Sequence, residues 1–273
     1  MAMEGLYAGN AGAVAGVIHG QDATCESCAS GNGTIDRMTR KQPLVRRLLR
    51  WLCIAVLGWI VLSITAVLLL RFVPPLTSAF MLERRIEALF DGQRDFSLRY
   101  SWIPLAEVSA NLPIALVAAE DQKFPNHHGF DVDAIQSALA DAEDGARLRG
   151  ASTISQQVAK NLFLWNGRSF VRKGFEAYFT VLIETLWPKR RIIEVYLNIA
   201  EFGDGVYGAG AASAHYFRNS PAQLNPRQSA LLAAVLPNPR KLHVERPSAY
   251  VQRRANWIER QVRQLGGADW LEP

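Results

Sequence analysis

LPIALVAAEDQKFPNHHGFD, residues 112–131, begins with an apolar run that predicts a buried segment. The run ends at Glu120, the carboxylate with the strongest case for a chemical role. The apolar first half of the stretch predicts a helix over Leu112 to Ala119. Asp131 is a suitable N-cap for a second helix over Val132 to Ala146. Burial raises the pKa of a carboxyl toward neutrality, so Glu120 is a candidate general base. A Glu at a helix end is more often solvated, and this stretch alone leaves both interpretations open.

A second polar cluster, GASTISQQVAKNLFLWNGRSFVRKGFE, follows at residues 150–176. Gln156 and Lys160 are four residues apart and share a helix face, as do Arg172 and Glu176. Several cations could therefore converge on an anion such as pyrophosphate. A solvated polar face with an ion pair is the alternative. The candidate polar residues are Ser152, Thr153, Gln156, Gln157, Lys160, Arg168, Arg172, Lys173 and Glu176.

The remaining sequence predicts a mostly α domain, because helical spacing recurs and no series of alternating strands is present. The further helices are predicted at Thr153 to Trp165 with Ser152 as cap, Phe170 to Trp187, Ile192 to Phe202, Pro226 to Leu236, and Ser248 to Leu265 closed by Gly266. The stretch from Gly203 to Gly208 matches GxGxxG, but helical spacing precedes it and the expected acid is missing downstream. We interpret these glycines as a loop that needs unusual backbone angles or close packing.

Toward the N-terminus, WLCIAVLGWIVLSITAVLLL at residues 51–70 carries no charge. Twenty helical residues span about 30 Å, the thickness of the hydrocarbon core. The stretch therefore predicts an uncleaved transmembrane anchor. A buried core helix and a cleaved signal peptide are the alternatives, and the apolar run is longer than a signal peptide usually has.

Basic residues precede this anchor without any acid among them, which predicts that the N-terminus is cytoplasmic and that the rest of the chain is outside. They are Arg37, Arg40, Lys41, Arg46, Arg47 and Arg50. The whole chain of 273 residues has a formal charge of +5, but residues 71–273 carry 24 Lys+Arg against 21 Asp+Glu. This near balance, in the expected compartment, disfavours a nucleic-acid-binding protein.

The organisation predicted from these features has five parts: a disordered cytoplasmic tail at 1–50, a transmembrane helix at 51–72, a juxtamembrane segment at 73–110, the main domain at 111–265, and a tail at 266–273. Met38 resembles a natural start, so we hypothesise that residues 1–37 are dispensable, which N-terminal sequencing of the native protein would test. Cys25 and Cys28 form only half of a zinc motif and are not expected to bind metal.

The motifs in series resemble those of glycosyltransferase family 51. They are EDQKFPNHHGFD at 120–131, GASTISQQ at 150–157, RKGFE at 172–176 and KRRIIEVYLN at 189–198. The resemblance covers residues 45–265 and is closest to the monofunctional peptidoglycan transglycosylases, since no transpeptidase domain follows. Ala151, where the family has a second Gly, and His128, where an aromatic is common, depart from the pattern without removing a catalytic group.

The resemblance implies a lysozyme-like, mostly α glycosyltransferase domain on the periplasmic face of the bacterial inner membrane. It would polymerise lipid II into β-1,4 glycan strands, with inversion and release of undecaprenyl pyrophosphate. Glu120 would be the general base, and Lys160 and Arg168 would stabilise pyrophosphate charge. Glu176 would act on the donor side through the cations or through a divalent metal, Mg²⁺ or Mn²⁺, with no cofactor obligatory. The substrate-binding residues implied are Asp121, Phe124, His127, Ser152, Thr153, Gln156, Gln157, Arg172, Lys173 and Asn198.

Two other functions stay in competition with this one: a lysozyme-like lytic enzyme and a non-catalytic membrane scaffold of the division machinery. Lipid II, the growing lipid-linked chain and the inner membrane are the expected partners, with division or elongation proteins as further candidates. A lytic enzyme cleaves neutral sugar links and has no use for a cation cluster. The cluster beside Glu120 therefore favours transfer from pyrophosphate over hydrolysis.

Overall fold

The computed structural model of this chain describes residues 44–143, 152–167 and 169–266. The described residues from 51 onward belong to one compact unit, and residues 44–50 belong to another. Because the helix Ala79–Phe90 and the strand Arg99–Tyr100 lie in the larger unit, the segment from 73 to 110 is part of the folded body rather than a simple connection.

The described residues are mostly helical, as the sequence predicts, with a small sheet. The helices are α1 Leu44–Phe72, α2 Ala79–Phe90, α3 Asn111–Glu120, α4 Val132–Glu143, α5 Ile154–Phe163, α6 Phe170–Leu186, α7 Lys189–Ile199, α8 Gly208–Phe217, α9 Pro226–Val235 and α10 Ala249–Gln264. The strands are β1 Arg99–Tyr100, β2 Glu201–Gly203 and β3 Val206–Tyr207. Short 3-10 turns lie at Leu105–Glu107 and Pro221–Gln223.

Helix α3 is the centre of the domain. Its residues 112–118 are all buried, with Leu112 and Leu116 fully inaccessible, because the segment is apolar on every side. It packs against α9, α10 and α7. The polar end of this buried helix is Glu120, so the core itself fixes where that carboxylate emerges.

The small sheet corrects one sequence prediction. Helix α7 ends at Ile199, and Phe202 lies in β2, where the sequence predicts a continuing helix. Strand β3 pairs antiparallel with β2 and parallel with β1, which gives the order β1-β3-β2. The glycines of the GxGxxG stretch make this possible: Gly205 has φ +71° in the turn, and a Cβ on Gly208 would lie 2.5 Å from the Asn198 carbonyl oxygen. The prediction of unusual angles and close packing here is confirmed.

Helix α5 begins one residue later than the sequence predicts. Thr153, not Ser152, is the N-cap. Its hydroxyl accepts from the backbone N–H of Gln156, and the side-chain oxygen of Gln156 accepts from the backbone N–H of Thr153, which together form a capping box. The predicted Asp131 cap of α4 is confirmed by its bond from the Ala134 N–H. Helix α4 is described to Glu143, and the rest of its predicted length lies outside the described residues.

Helix α1 is long and apolar enough to span a membrane. The second half of α1 packs against the domain through residues on one face of the helix. Trp59 contacts the rings of Phe175 and Tyr178 in α6, at 5.5 and 5.0 Å between centroids. The Ser63 hydroxyl lies 2.8 Å from the Tyr178 hydroxyl. The anchor is therefore joined to the domain by specific contacts well within its apolar length.

Side chains of the domain donate hydrogen bonds to backbone carbonyls near the C-terminal end of α1. The Trp187 indole N–H donates to the Val67 carbonyl, and the Arg191 guanidinium donates to the Leu70 carbonyl. The carbonyls of the last four helical residues have no partner within a helix, so Arg191 of α7 stabilises the end of α1 at Leu70, and Trp187, which follows α6, adds a bond one turn earlier. Phe72 is the last helical residue, two positions before Pro74, which cannot continue the helix.

Candidate active site

Glu120 lies at the C-terminal end of α3 with both carboxylate oxygens engaged. The Gln157 side-chain amide donates to Oε2 at 3.1 Å, and the Arg254 guanidinium donates to Oε1 at 3.2 Å. The side chain keeps 16% of its surface exposed, enough for a substrate to reach it. Three helices therefore hold this carboxylate: α3 supplies it, and α5 and α10 orient it.

Burial raises the pKa of Glu120 above its ordinary value of 4.5. The Gln157 hydrogen bond, the charge and hydrogen bond of Arg254, and the charge of Lys160 all act in the opposite direction. A carboxylate with a raised pKa is a better proton acceptor than an exposed one, and the opposing donors favour its ionised form. This is the environment that a general base needs.

A cavity of about 360 Å³ opens beside Glu120. It is lined by Glu120, Asp121, Gln122, Lys123, Asp131, Asp133, Ala134, Ser137, Ser152 and Thr153. Its walls come from α3, the loop after it, the start of α4 and the entry to α5. Lys123 is paired there with Asp131 and Asp133. A polar cavity with a carboxylate at its edge fits a sugar that offers a hydroxyl.

A polar stripe runs along α5 from this cavity. Thr153, Gln157 and Lys160 are spaced four and three residues apart, so they lie on one side of the helix over about 10 Å. The Glu120 carboxylate lies against the middle of this stripe, at Gln157. At its far end, the Lys160 ammonium is 5.3 Å from the centre of the Phe80 ring in α2. Among the described residues it has no ion-pair or hydrogen-bond partner.

Burial lowers the pKa of Lys160 below its ordinary value of 10.5, while the charge of Glu176 opposes this effect. The neighbouring charges of Arg172 and Lys173 lower the pKa further. A partly buried cation without a paired acid attracts an anion more strongly than an exposed one, because the interior screens charge less than water does. Lys160 is therefore a prepared donor for a negatively charged group.

The α6 cluster, defined as Arg172, Lys173 and Glu176, lies next to Lys160. Glu176 accepts from Arg172 at 2.7 Å and from Lys173 at 2.5 Å, on separate oxygens. Its side chain is 3% exposed, so this carboxylate is buried beneath its two cations. Arg172 Nε is buried and without a hydrogen-bond partner in the described part of the chain. Glu176 thus orients two cations, one of which keeps a donor to spare.

A divalent metal at Glu176 fits this arrangement poorly. Both carboxylate oxygens already accept from cations, and a metal would have to displace them. Within residues 44–143, 152–167 and 169–266, no group of three or more His, Cys, Asp and Glu side chains is placed to hold a metal ion. We therefore derive no step through a metal.

Asp121 and His127, both predicted to bind substrate, hold the scaffold of the site. The His127 ring bonds Asp121 through Nε2 at 2.9 Å and accepts from the Gly129 N–H through Nδ1. Asp121 also accepts from the backbone N–H of Ile154, the first residue of α5. Their polar atoms are thus used within the protein. They join the start of α5 to the end of α3, which places Gln157 opposite Glu120.

The predicted ligands around the start of α5 are of two kinds: some use their polar atoms within the protein, and others keep surface available to a substrate. Thr153 and Gln156 are buried and occupied with the capping box, and the Thr153 hydroxyl also lies 2.6 Å from the Gly129 carbonyl. Ser152 is exposed at the cavity. Of these predicted ligands, Ser152 and Gln157 are therefore the ones with surface available to a substrate.

Phe124 and Asn198 are not at the cleft surface, which corrects their prediction as substrate ligands. Phe124 is fully buried, with the Lys189 ammonium 4.5 Å from its ring centre. Asn198 is also fully buried: its amide donates to the Ile103 and Glu194 carbonyls and accepts from the Ile103 N–H. A buried amide with these bonds stabilises the fold and leaves no atom for a substrate. Arg168 lies outside the described residues.

Two residues of the site escape the sequence analysis. Arg254, 134 positions after Glu120, bonds it directly, and Tyr196 bonds Gln157. Arg254 stands in a basic, amphipathic helix where it resembles its exposed neighbours, and Tyr196 is spaced like any core residue. The sequence carries no local signal that distinguishes either one.

Comparison with known proteins places this site in a family. Residues 89–263 match the Transglycosylase family. A protein of Xanthomonas campestris pv. campestris (strain B100) named biosynthetic peptidoglycan transglycosylase is 53% identical over 241 residues, which cover 88% of this chain and 98% of that protein. Proteins of the same name from Xanthomonas axonopodis pv. citri (strain 306) and Pseudomonas fluorescens are 57% and 56% identical, over 83% and 84% of this chain and 92% and 95% of their own lengths. The chain therefore belongs to the Transglycosylase family, among the biosynthetic peptidoglycan transglycosylases.

Proposed function

We propose that this enzyme polymerises lipid II into glycan strands of peptidoglycan, with Glu120 as its general base. The observation that carries the proposal is the position of Glu120 at the edge of a cavity lined by polar residues and close to a group of partly buried cations. Similarity to the biosynthetic peptidoglycan transglycosylases supports it along most of the chain. The roles of the individual residues follow from the chemistry of the reaction.

Glu120 acts on the acceptor sugar. The 4-hydroxyl of the acceptor N-acetylglucosamine enters the cavity, and the Glu120 carboxylate takes its proton as the oxygen attacks the anomeric carbon of the donor. The new bond forms on the face opposite the leaving group, so an α-linked donor gives a β-1,4 product. The electron pair of the broken C–O bond stays on the lipid pyrophosphate.

The cations act on the donor. Lys160, whose ammonium has no hydrogen-bond or ion-pair partner among the described residues, and Arg172, whose side chain is partly exposed beside it, stabilise the charge that grows on the pyrophosphate as it leaves. Lys173 is half exposed and adds a third cation, while Glu176 holds it and Arg172 in place. Arg168 is proposed for the same role from the sequence alone. Because these charges stabilise the leaving group, no acid is required to protonate it.

The same geometry disfavours hydrolysis of a glycan. An inverting hydrolase needs a protonated carboxylic acid beside its base. Asp121 accepts from His127 and from the Ile154 N–H, and Glu176 accepts from two cations. The oxygens of both carboxylates are already used by donors of the protein, so neither carboxyl is placed to hand a proton to a glycosidic oxygen.

We further propose that α1 anchors the enzyme in the bacterial inner membrane with its N-terminus in the cytoplasm. The exposed cations Arg46, Arg47 and Arg50 at the start of α1 support this orientation. The catalytic domain is then periplasmic, at the surface where a lipid-linked substrate presents its sugars. A substrate with a long lipid tail cannot leave the bilayer, so the enzyme that uses it gains from an anchor.

Incubation of the purified full chain with labelled lipid II tests the proposal. We expect a polymer that lysozyme digests, together with free undecaprenyl pyrophosphate. Release of soluble fragments from added peptidoglycan, without polymer, would establish the lytic function instead. If neither activity is found with any lipid-linked substrate, the chain acts as a scaffold and the proposal is wrong.

A further inference from the structure

We propose that Tyr196 is a positioning residue of this reaction, because its hydroxyl fixes the Gln157 amide that holds the Glu120 carboxylate. Tyr196 lies in α7 and is 1% exposed, so it cannot touch a substrate. Its Oη donates to Gln157 Oε1 at 3.1 Å, and Gln157 Nε2 donates to Glu120 Oε2 at 3.1 Å. The inference rests on the proposed role of Glu120 as the base.

The direction of the two hydrogen bonds is what gives Tyr196 this role. A Gln side chain can present either its carbonyl or its amide N–H₂ to a neighbour, since the two ends have the same shape. If the Gln157 amide turned over, its carbonyl would face the Glu120 carboxylate, and two acceptors would meet. The Tyr196 hydroxyl would then lose its acceptor, because within the described residues Gln157 is its only hydrogen-bond partner. The turned N–H₂ could donate to the Tyr196 oxygen, but the hydroxyl hydrogen would be buried without an acceptor, which is costly, so Tyr196 locks the orientation that supports ionised Glu120.

The charged groups around this chain of bonds agree with the assignment. Arg254 from α10 and Lys160 from α5 face Glu120 and favour its ionised form. Glu120 and Asp121 face Tyr196, and together with burial they raise its pKa well above the ordinary value of 10.0. The phenol therefore keeps its proton, and remains a donor, across the pH range in which the enzyme works. Gln157 and Tyr196 are the neutral members of the set, and the Gln157 amide is the one whose donor and acceptor ends can exchange places.

The decisive variant is Tyr196→Phe, which keeps the ring and removes the hydroxyl. Without the hydroxyl, the Gln157 amide can turn over, and the Glu120 carboxylate then loses a hydrogen-bond donor. The protonated form of Glu120 becomes more stable relative to the ionised form. We expect the rate of lipid II polymerisation to fall about 3–10-fold on the acid side of the pH profile, and less than about twofold on the alkaline plateau. The acid limb of the profile should move to higher pH.

Tyr207→Phe is the matched control, because Tyr207 is also a tyrosine with 1% exposure but lies in β3 and has no bond to Gln157. Its pH profile should superimpose on that of the unmodified enzyme. A second comparison uses the Gln157→Leu background, in which Tyr196→Phe should produce no further shift. A pH-independent loss in Tyr196→Phe, an unchanged profile, or a further shift in the Gln157→Leu background would each overturn the proposal.

A readout without catalysis separates this inference from the proposed function. In full-length protein with ¹³C-labelled Glu side chains, titration of the Glu120 carboxyl resonance, assigned by its loss in Glu120→Gln, reports its pKa directly. We expect that pKa to be higher in Tyr196→Phe than in the unmodified chain. If Tyr196→Phe does not fold, Gln157→Leu must raise the pKa of Glu120 in the same way, and an unchanged value in that variant refutes the inference. Should the pKa rise while Glu120→Gln still polymerises lipid II, the positioning stands and the role of Glu120 as base is wrong.

Discussion

At the scale of single residues, the site separates groups that meet the substrate from groups that hold them. Glu120 lines the cavity and the Lys160 ammonium has no hydrogen-bond or ion-pair partner among the described residues, whereas Asp121 and His127 use their polar atoms on each other and on the backbone. Motif residues of both kinds look alike in the sequence. Burial and bonding partners distinguish them, and these are properties of the fold.

Glu120→Gln tests the base. The amide keeps the size of the side chain but cannot accept the proton, so we expect polymerisation to fall by roughly 10²–10⁴-fold or more. The midpoint of thermal unfolding should change little. Glu107→Gln, which alters an exposed carboxylate on a 3-10 turn, is the control and should leave the rate unchanged. Near-normal polymer from Glu120→Gln would remove this residue from the mechanism.

The pH dependence of polymerisation follows from two opposite pKa shifts. Glu120 must be ionised, and burial raises its pKa above 4.5, so the rate should rise with pH through a midpoint above that value. Lys160 must be charged, and burial lowers its pKa below 10.5, so the rate should fall again through a midpoint below that value. A bell-shaped plot of kcat/KM for lipid II between these limits is expected.

Lys160→Arg provides the check on the alkaline limb. A guanidinium stays charged at high pH, so the fall in rate should disappear even if the rate itself is reduced by the different shape. An alkaline limb that persists at the same pH in Lys160→Arg would show that another group is responsible for it.

Arg254→Gln tests the second partner of Glu120. Loss of this cation favours protonated Glu120, so the acid limb should move to higher pH while the alkaline limb stays in place. Arg253→Gln is the matched control, because Arg253 is the preceding residue of α10 and is exposed. A similar shift in both variants would point to the general charge of α10 rather than to the bond with Glu120.

At the scale of secondary structure, patterns of spacing predict the long helices well and the short elements poorly. Helices α6 and α9 begin at the residues the sequence predicts, since Ser169 and Asn225 supply their caps. Helix α8 is missed because its first residues, Gly208 to Gly210, have the composition of a loop. Tertiary packing overrides that preference: Gly208 and Gly210 lie where a Cβ would strike the backbone of Asn198 and Ser101.

In the candidate site, too, some residues can be predicted from local sequence and others cannot. The series of motifs identifies Glu120, Lys160 and the α6 cluster from the sequence. It does not reveal that Asn198 is sealed in the core or that α10 supplies Arg254, because both depend on how distant helices pack. Contacts between elements far apart in the chain leave no local pattern to detect.

The α5 capping box links element stability to the site. Thr153→Ala removes the cap and the bond to the Gly129 carbonyl, so we expect a loss of about 1–2 kcal/mol in the free energy of unfolding. For a domain of this size that corresponds to a decrease of about 2–8 °C in Tm. Thr153→Ser retains the capping hydroxyl and should lose much less. Equal losses in the two variants would assign the effect to the methyl group instead.

At the scale of the whole molecule, the anchor and the catalytic domain are not separable parts. Trp59 lies 13 residues before the end of α1, about 20 Å along the helix axis, and still contacts α6. If α1 crosses the bilayer, α6 must lie beside it at membrane depth. The outer surface of α6 is suited to that position, because Phe170, Val171 and Val181 are exposed there. Exposed apolar residues of this kind are typical of surfaces that contact a membrane or another protein.

Depth measurements on the full-length enzyme in proteoliposomes test this arrangement. In a chain with Cys25, Cys28 and Cys53 replaced by Ala, Phe170→Cys carries an environment-sensitive fluorophore at a position whose side chain is 99% exposed. We expect blue-shifted emission that lipid-bound quenchers suppress, since the label would lie among acyl chains. Arg253→Cys, on α10, which packs on α3 and α9, serves as the control and should show emission typical of water. Water-like emission at both positions would mean that α6 stays outside the bilayer, and that the contacts of Trp59 with Phe175 and Tyr178 must then open when the anchor inserts.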